Sequence, residues 1–327
     1  MLSRSHFIQH GGDRRKRSGE VIRIARARLA SVQDLGRFGH LGSGIAWNGA
    51  ADGYAAKVAN GLLGNRPDAP LIEIVALPFQ MVASTELHVC VTGAPANVVA
   101  GEDRVPEWRV LKLSAGATLR IDTVRQGLGT YVGIRGGITA NGFLGSCAPD
   151  PAVPLGRLLV TGDELKVGPE PDSASGFDRV AADHIPKYGS PWTLDVLDGP
   201  DASWLVGGLE DLCAAEYRVR TDSNHAGIRL DGPPMASGSR RELLSRGATV
   251  GAVQLLPSGQ PLILGRGNSV TGGYPVVAVV SRTHTDLLGQ LRPGDTVLFR
   301  ATDILSAIDG ARAQGRTLAG YFSSVPA

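Results

Sequence analysis

Three polar, glycine-rich stretches carry the residue types that do chemistry. The first joins Gln33-Asp34-Leu35-Gly36-Arg37 to Asn48-Gly49-Ala50-Ala51-Asp52. Two carboxylates and a guanidinium sit there on a loop whose backbone N–H groups can approach a ligand, a setting that suits an anion or an amide. The same residues read equally as an Asp34–Arg37 salt bridge pinning the loop, with Asp52 as a helix cap. The second stretch is Asp222 to Leu230, where His225 or Arg229 meets a ligand or hydrogen-bonds a barrel rim. The third is Thr271-Gly272-Gly273-Tyr274-Pro275, a hydroxyl, two flexible amides and a phenol directly before a strand; the other reading is a plain turn.

Other chemistries are missing from the chain. There is no phosphate-binding Gly-x-x-x-x-Gly-Lys-Ser/Thr loop, no His-Glu-x-x-His, no Gly-x-Ser-x-Gly elbow and no Gly-x-Gly-x-x-Gly dinucleotide turn. The histidines (His6, His10, His40, His88, His184, His225, His284) have no ligand spacing, so no metal site is predicted. Cys90, Cys147 and Cys213 are odd in number and far apart, which predicts buried thiols; Cys147, in Gly145-Ser146-Cys147-Ala148-Pro149, has a reactive thiol as its other reading. A formal charge of +2 with no basic face argues against nucleic acid. No apolar run approaches the roughly 18 residues that span a bilayer, and the polar leader has no signal-peptide core, so a cytoplasmic protein is expected.

The elements that must position these stretches are mostly strands. The 44 glycines, spread through 327 residues, imply many tight turns. Residues 1–19, with the basic run Arg14 to Arg17, read as a disordered leader. Residues 20–31 read as a first strand, followed by a long glycine-rich loop to Gly53. A short helix follows, with Tyr54, Ala55, Val58, Ala59 and Leu62 on one face, Asp52 as cap and Gly64 at its end. Short β-rich runs then recur: Leu87 to Thr92, Trp108 to Leu113, Thr118 to Thr123, Tyr131 to Ile134 and Leu165 to Val167.

Residues 168–190 lack periodicity and read as a linker. The second half repeats the style, with strands at Thr193 to Leu197, Val253 to Leu256, Leu262 to Leu264, Val276 to Val280 and Thr296 to Phe299. A helix is expected to open at Asp201 with Trp204, Leu205 and Leu209 on one face. A second is expected to be capped by Thr302, with Ile304, Leu305 and Ile308 inward, fading after Gly315. The chain thus reads as a mainly β protein with peripheral helices, in two β-rich domains, 20–167 and 191–327.

Taken in order, these words resemble a known family. Val32 to Arg37 with Asn48 to Asp52, Ala59 to Asn65, Leu71-Ile72-Glu73-Ile74, Val91-Thr92-Gly93-Ala94, Gly136-Gly137-Ile138, Gly227 to Leu230 and Thr271 to Pro275 are similar to a signature shared by the C subunit of 5-oxoprolinase and the second subunit of allophanate hydrolase. That family is a carboxyltransferase-type domain family. The resemblance implies two cyclophilin-like β-barrel domains. It also implies a companion, the B subunit of 5-oxoprolinase or the first subunit of allophanate hydrolase, with the A subunit of 5-oxoprolinase as a further partner. The activity it implies is ATP-dependent opening of 5-oxoproline to glutamate, with magnesium accompanying ATP.

Carried onto this chain, the resemblance makes Asp34, Arg37 and Glu73 the catalytic candidates. Gln33, Asp52, Thr92, Arg229, Thr271, Gly272, Gly273 and Tyr274 become the substrate- or nucleotide-binding candidates. A ligand cleft between the domains is expected, bordered by the Gln33–Asp52 loop and the Thr271–Pro275 turn, with Arg37 on an exposed loop. A related branch acts on urea with carboxybiotin; no biotin-accepting lysine motif is present here, so biotin would arrive on a partner. The chain departs from the family at Cys147-Ala148-Pro149, where Arg-Ser-Thr is usual, at Asn224-His225 for Asp-Arg, and at Gly267 and Ser269 for Asp and Gln. These losses make a non-catalytic binding or regulatory role the alternative from another class.

Overall fold

The computed structural model describes residues 21–150, 155–171, 176–238 and 243–323; the basic leader falls outside them. Strand alternation dictates the first half. Ile22 and Ile24 in Val21–Arg26, Phe79, Met81 and Ala83 in Phe79–Ala83, and Leu119 and Ile121 in Thr118–Val124 all turn to one buried face. These strands belong to a seven-stranded sheet running, in order, Ile138–Thr139, Glu164–Val167, Val21–Arg26, Phe79–Ala83, Thr118–Val124, Ala96–Ala100 and Asp103–Val105. A five-stranded sheet, ordered Leu29–Gln33, Leu71–Ala76, Thr130–Ile134, Leu87–Gly93 and Val110–Leu113, supplies the other wall of the same core.

The expected first strand is therefore two strands in different sheets. It breaks at Ala27-Arg28, where the chain crosses from one sheet to the other.

The second half closes on itself. Trp192–Asp198, Val276–Val280, Ala252–Leu255, Pro261–Leu264, Gly227–Asp231, Glu216–Val219 and Thr296–Ala301 form a closed seven-stranded barrel, sealed by the parallel pairing of Trp192–Asp198 with Thr296–Ala301. Closure leaves no unpaired edge among these strands. The mainly β architecture with peripheral helices expected from the sequence is what forms.

Helix α1 (Gly53–Leu62) lies at the seam between the halves, and its buried face joins Trp108, Tyr131 and Tyr188 to the barrel interior in one apolar cluster. Asp52 caps it by accepting from the Ala55 N–H at 2.9 Å, and Gly64 follows its end at φ +73°. Helix α2 (Gly208–Ala214) is shorter than expected. Asp201 opens only a 3-10 turn, Ala202–Trp204, and spends its carboxylate on the Val276 N–H and Arg246.

Helix α3 (Ile304–Tyr321) is capped by Asp303, not Thr302, and continues through Gly315 to Tyr321. Its Ile304 and Leu305 face outward, at 59% and 70% exposed. The barrel is already closed by the strand that precedes α3, so no core remains for them to enter. The 168–190 segment, expected to be a linker, holds the buried Tyr188 against Asp52.

Candidate functional site

The five-stranded sheet sorts its side chains by alternation. Ala30, Ile72, Ile74 and Val132 enter the core of the first half, so Ser31, Gln33, Glu73 and Tyr131 stand on the opposite face, toward the barrel. Glu73 is flanked in register by Ser31 and Tyr131. Across the seam the barrel brings up His225, just before Gly227–Asp231, and Arg266, just after Pro261–Leu264.

Between these two walls lies a cavity of about 410 Å³ lined by Gln33, Glu73, His225 and Arg266 together with apolar side chains. The size is within the range of small-molecule sites.

Each of these four residues carries a buried polar atom that no neighbour satisfies: Gln33 Oε1, Glu73 Oε2, His225 Nε2 and Arg266 Nε. Asn48, behind them, leaves both side-chain atoms unpaired. Burial of an unpaired polar atom costs about 1–3 kcal/mol, and four such atoms on residues lining one cavity make it the candidate site. Glu73 is 4% exposed and accepts from the Tyr131 hydroxyl at 3.4 Å. Burial lifts its carboxyl to about 7, against partial opposition from the Ala51 N–H and Tyr131. Burial and the Arg266 charge push His225 down to about 4, leaving a neutral imidazole at neutral pH. Arg266 is held by Asp286 at 2.9 Å in a buried pair.

Gly267 permits this approach: a Cβ there would stand 2.7 Å from His225 Cδ2 and 3.1 Å from Asn48 Oδ1. Any side chain at this position would therefore collide with the site as built here.

Asp34 and Arg37 lie elsewhere. Asp34 Oδ1 accepts from the Gly36 N–H at 2.8 Å and the Ser146 hydroxyl at 2.6 Å, and Oδ2 accepts from the Cys147 N–H at 2.6 Å. Arg37, expected on an exposed loop, is 1% exposed and donates to the carbonyls of Phe143, Ser146 and Ala148. The two residues reach the 143–148 loop and not each other. Gly36, at φ +103°, lets the chain turn against the Trp47 and Asn48 carbonyls, where a Cβ would come within 2.7 Å. Burial and the adjacent Asp34 push the Cys147 thiol well above its ordinary range, so it is not a thiolate.

The remaining candidates disperse. Asp52, beyond capping α1, accepts from the Tyr188 hydroxyl and the Gln290 amide, both at 2.9 Å; burial and Asp286 lift it to about 6. Thr92 donates to the Ala55 carbonyl beneath α1. Arg229 points off the barrel toward Asp222 at 3.6 Å. Thr271, Gly272, Gly273 and Tyr274 do not line the cavity, because Thr271–Gly272 pairs with Arg246–Gly247 in a separate two-stranded sheet.

Of the predicted residues, Gln33, Glu73 and His225 come together on the cavity. Arg266 went unnoticed in the sequence, since Gly265-Arg266-Gly267 belongs to no motif; its one signal is a lone cation just past an apolar strand.

A two-sheet half and a closed barrel thus flank the cavity. The model of the family described as "Carboxyltransferase domain, subdomain A and B" matches residues 43–301. The chain is 31% identical over 303 residues to the C subunit of 5-oxoprolinase from Escherichia coli, covering 90% of this chain and 96% of that one. It therefore belongs to the carboxyltransferase-domain family that includes the C subunit of 5-oxoprolinase. Urea amidolyase of Saccharomyces cerevisiae is 26% identical over 291 residues, covering 82% of this chain and 16% of its own length. In fold, the chain superimposes on the K. lactis urea amidolyase structure with a TM-score of 0.87 at 23% identity, covering 93% of this chain and 20% of that one. Among the described residues no helix is long and apolar enough to cross a membrane.

Proposed function

We propose that this chain is the substrate-holding component of an amide-opening complex of the 5-oxoprolinase type. Its companion would be related to the B subunit of 5-oxoprolinase, with a relative of the A subunit as a further partner. The observation that carries this reading is the convergence of unsatisfied donors and acceptors from both halves on one cavity. An amide offers both an N–H and a carbonyl. Gln33 Oε1 and Glu73 Oε2 are acceptors for the first, and Arg266 Nε is a donor for the second.

A carboxyl with a pKa of about 7 can hold or release a proton at the substrate nitrogen near neutral pH, and the Arg266 Nε N–H can donate to the carbonyl oxygen. Similarity over almost the full length of the 5-oxoprolinase C subunit supports the role within a complex.

The donor set of the cavity does not fit ATP. Among the described residues the one cation that lines it, Arg266, is already paired with Asp286, and Glu73 would face the phosphates. Among the described residues no three His, Cys, Asp or Glu side chains gather as a cation site. ATP and magnesium are therefore assigned to the companion, and no step on this chain runs through them. The test is to purify the chain with its companion and measure amide-dependent ATP turnover. Turnover by the complex, lost in Glu73→Gln and absent from the isolated chain, is expected; an inert complex would sink the reading.

A further inference from the structure

We infer that the cavity selects an uncharged amide or ureido group carried on an apolar body, and discriminates against a substrate that bears a carboxylate beside the amide. This deepens the reading above and rests on it.

The unpartnered atoms fall into two classes. On the residues that line the cavity, Gln33 Oε1 and Glu73 Oε2 accept, whereas Arg266 Nε donates. A group with both an N–H and a C=O satisfies both classes. A carboxylate satisfies only the donors and leaves the acceptors buried and unpaired.

The charges point the same way. Arg266 and Asp286, each less than a tenth exposed, pair at 2.9 Å and cancel. His225 is neutral, because burial and Arg266 both oppose its protonation. The nearby barrel arginines, Arg220 and Arg229, lie outside the cavity and are engaged by Asp222, with Arg220 also meeting Asp231. What remains on the wall is Glu73, which is anionic above its raised pKa. A second carboxylate enters this poorly screened space with no free cation among the described lining residues to meet it.

Most of the remaining lining is apolar, with Ser31, Ser223, Asn224 and Thr285 as its other polar members. Val75, Leu128, Ile228, Leu288 and Leu291 surround the polar atoms, and Leu29 and Leu158 sit half-exposed among the lining residues. The cavity of about 410 Å³ is roomier than a bare urea or five-membered lactam requires, so an apolar substituent has both space and partners.

The test is calorimetric titration of the purified full-length chain with three probes: 5-oxoproline, its carboxamide 5-oxoprolinamide, and the uncharged 5-benzylhydantoin. At pH 8 the carboxamide should bind at least roughly tenfold more tightly than 5-oxoproline, and the benzylhydantoin more tightly still. Glu73→Gln, checked by thermal melting to be folded, keeps the shape and removes the charge, so the ratio between carboxamide and acid should shrink toward one. Equal or tighter binding of 5-oxoproline by the wild type would overturn the inference while leaving the amide-opening reading standing. Binding of none of the three would overturn both.

Discussion

Gln33 and Asp34 are consecutive residues, yet they serve opposite ends. Asp34 and Arg37 form a clasp on the 143–148 loop in which the carboxylate accepts three bonds and the guanidinium donates to three carbonyls, with only Nη1 left over. Gln33, one residue back and on the cavity side, joins Glu73, His225 and Arg266 in leaving an atom unpaired on each. Both regions bury a carboxylate and a guanidinium. In the clasp the chain itself offsets the cost of desolvation; on the cavity wall that cost remains for a ligand to offset. A buried charged residue is therefore no site until its partners have been counted.

The largest expected effect tests the clasp. Arg37→Ala leaves the Phe143, Ser146 and Ala148 carbonyls without their donor, at a cost of about 3–5 kcal/mol. For a chain of this size that lowers the melting temperature by on the order of 10 °C, readable by scanning calorimetry. Affinity for 5-oxoprolinamide, measured below the melt, should stay within about twofold of wild type. A variant that melts like wild type but loses the amide would dissolve the contrast between the two regions.

The next effect tests the cavity wall and has the opposite sign. The folded Glu73 carboxyl is raised from 4.5 to about 7, chiefly by burial, so between those values the folded state keeps a proton that the unfolded chain has released. The contribution of Glu73 to stability is therefore complete below pH 4.5, falls as the pH rises to about 7, and is flat beyond. Asp52, raised from 3.8 to about 6 by burial and Asp286, adds a slope of the same sign at lower pH. Glu73→Gln should remove the Glu73 slope. Its melting temperature should match wild type near pH 4 and exceed it at pH 8, by on the order of 2–3 kcal/mol in stability, while turnover by the complex is lost. A variant less stable than wild type at pH 8 would mean that the carboxylate is satisfied after all.

How much of this was legible in the sequence follows from the range over which each feature is decided. The strand runs, the Asp52 cap and Gly64 were readable because period-2 alternation and capping are local. Glu73 was singled out by the family resemblance, within Leu71-Ile72-Glu73-Ile74. Arg266 did not show, because its partner Asp286 lies 20 residues on and its neighbours across the cavity come from the other half; only the fold brings them together. The outward Ile304 and Leu305 show the same limit. Helical spacing defines a stripe, but barrel closure by Thr296–Ala301 decides whether any core is left to receive it.

The smallest expected effect concerns the Thr271–Pro275 turn, which the sequence suggests as the far border of the cleft. Thr271–Gly272 is tied to Arg246–Gly247, and Tyr274 is 43% exposed and does not line the cavity. A hydroxyl there is solvated in both the folded and unfolded chain, so Tyr274→Phe removes little from either state. Stability should remain within about 0.5 kcal/mol of wild type. Affinity for 5-oxoprolinamide should be unchanged within error, in contrast to Gln33→Leu, which deletes an unpaired acceptor from the wall and should weaken binding several-fold. Calorimetric titration of the two variants side by side separates the possibilities. If Tyr274→Phe weakens binding as much as Gln33→Leu, the ligand reaches the turn, the border of the site must be drawn around the 271–275 segment, and the division between structural and ligand-facing polar groups shifts with it.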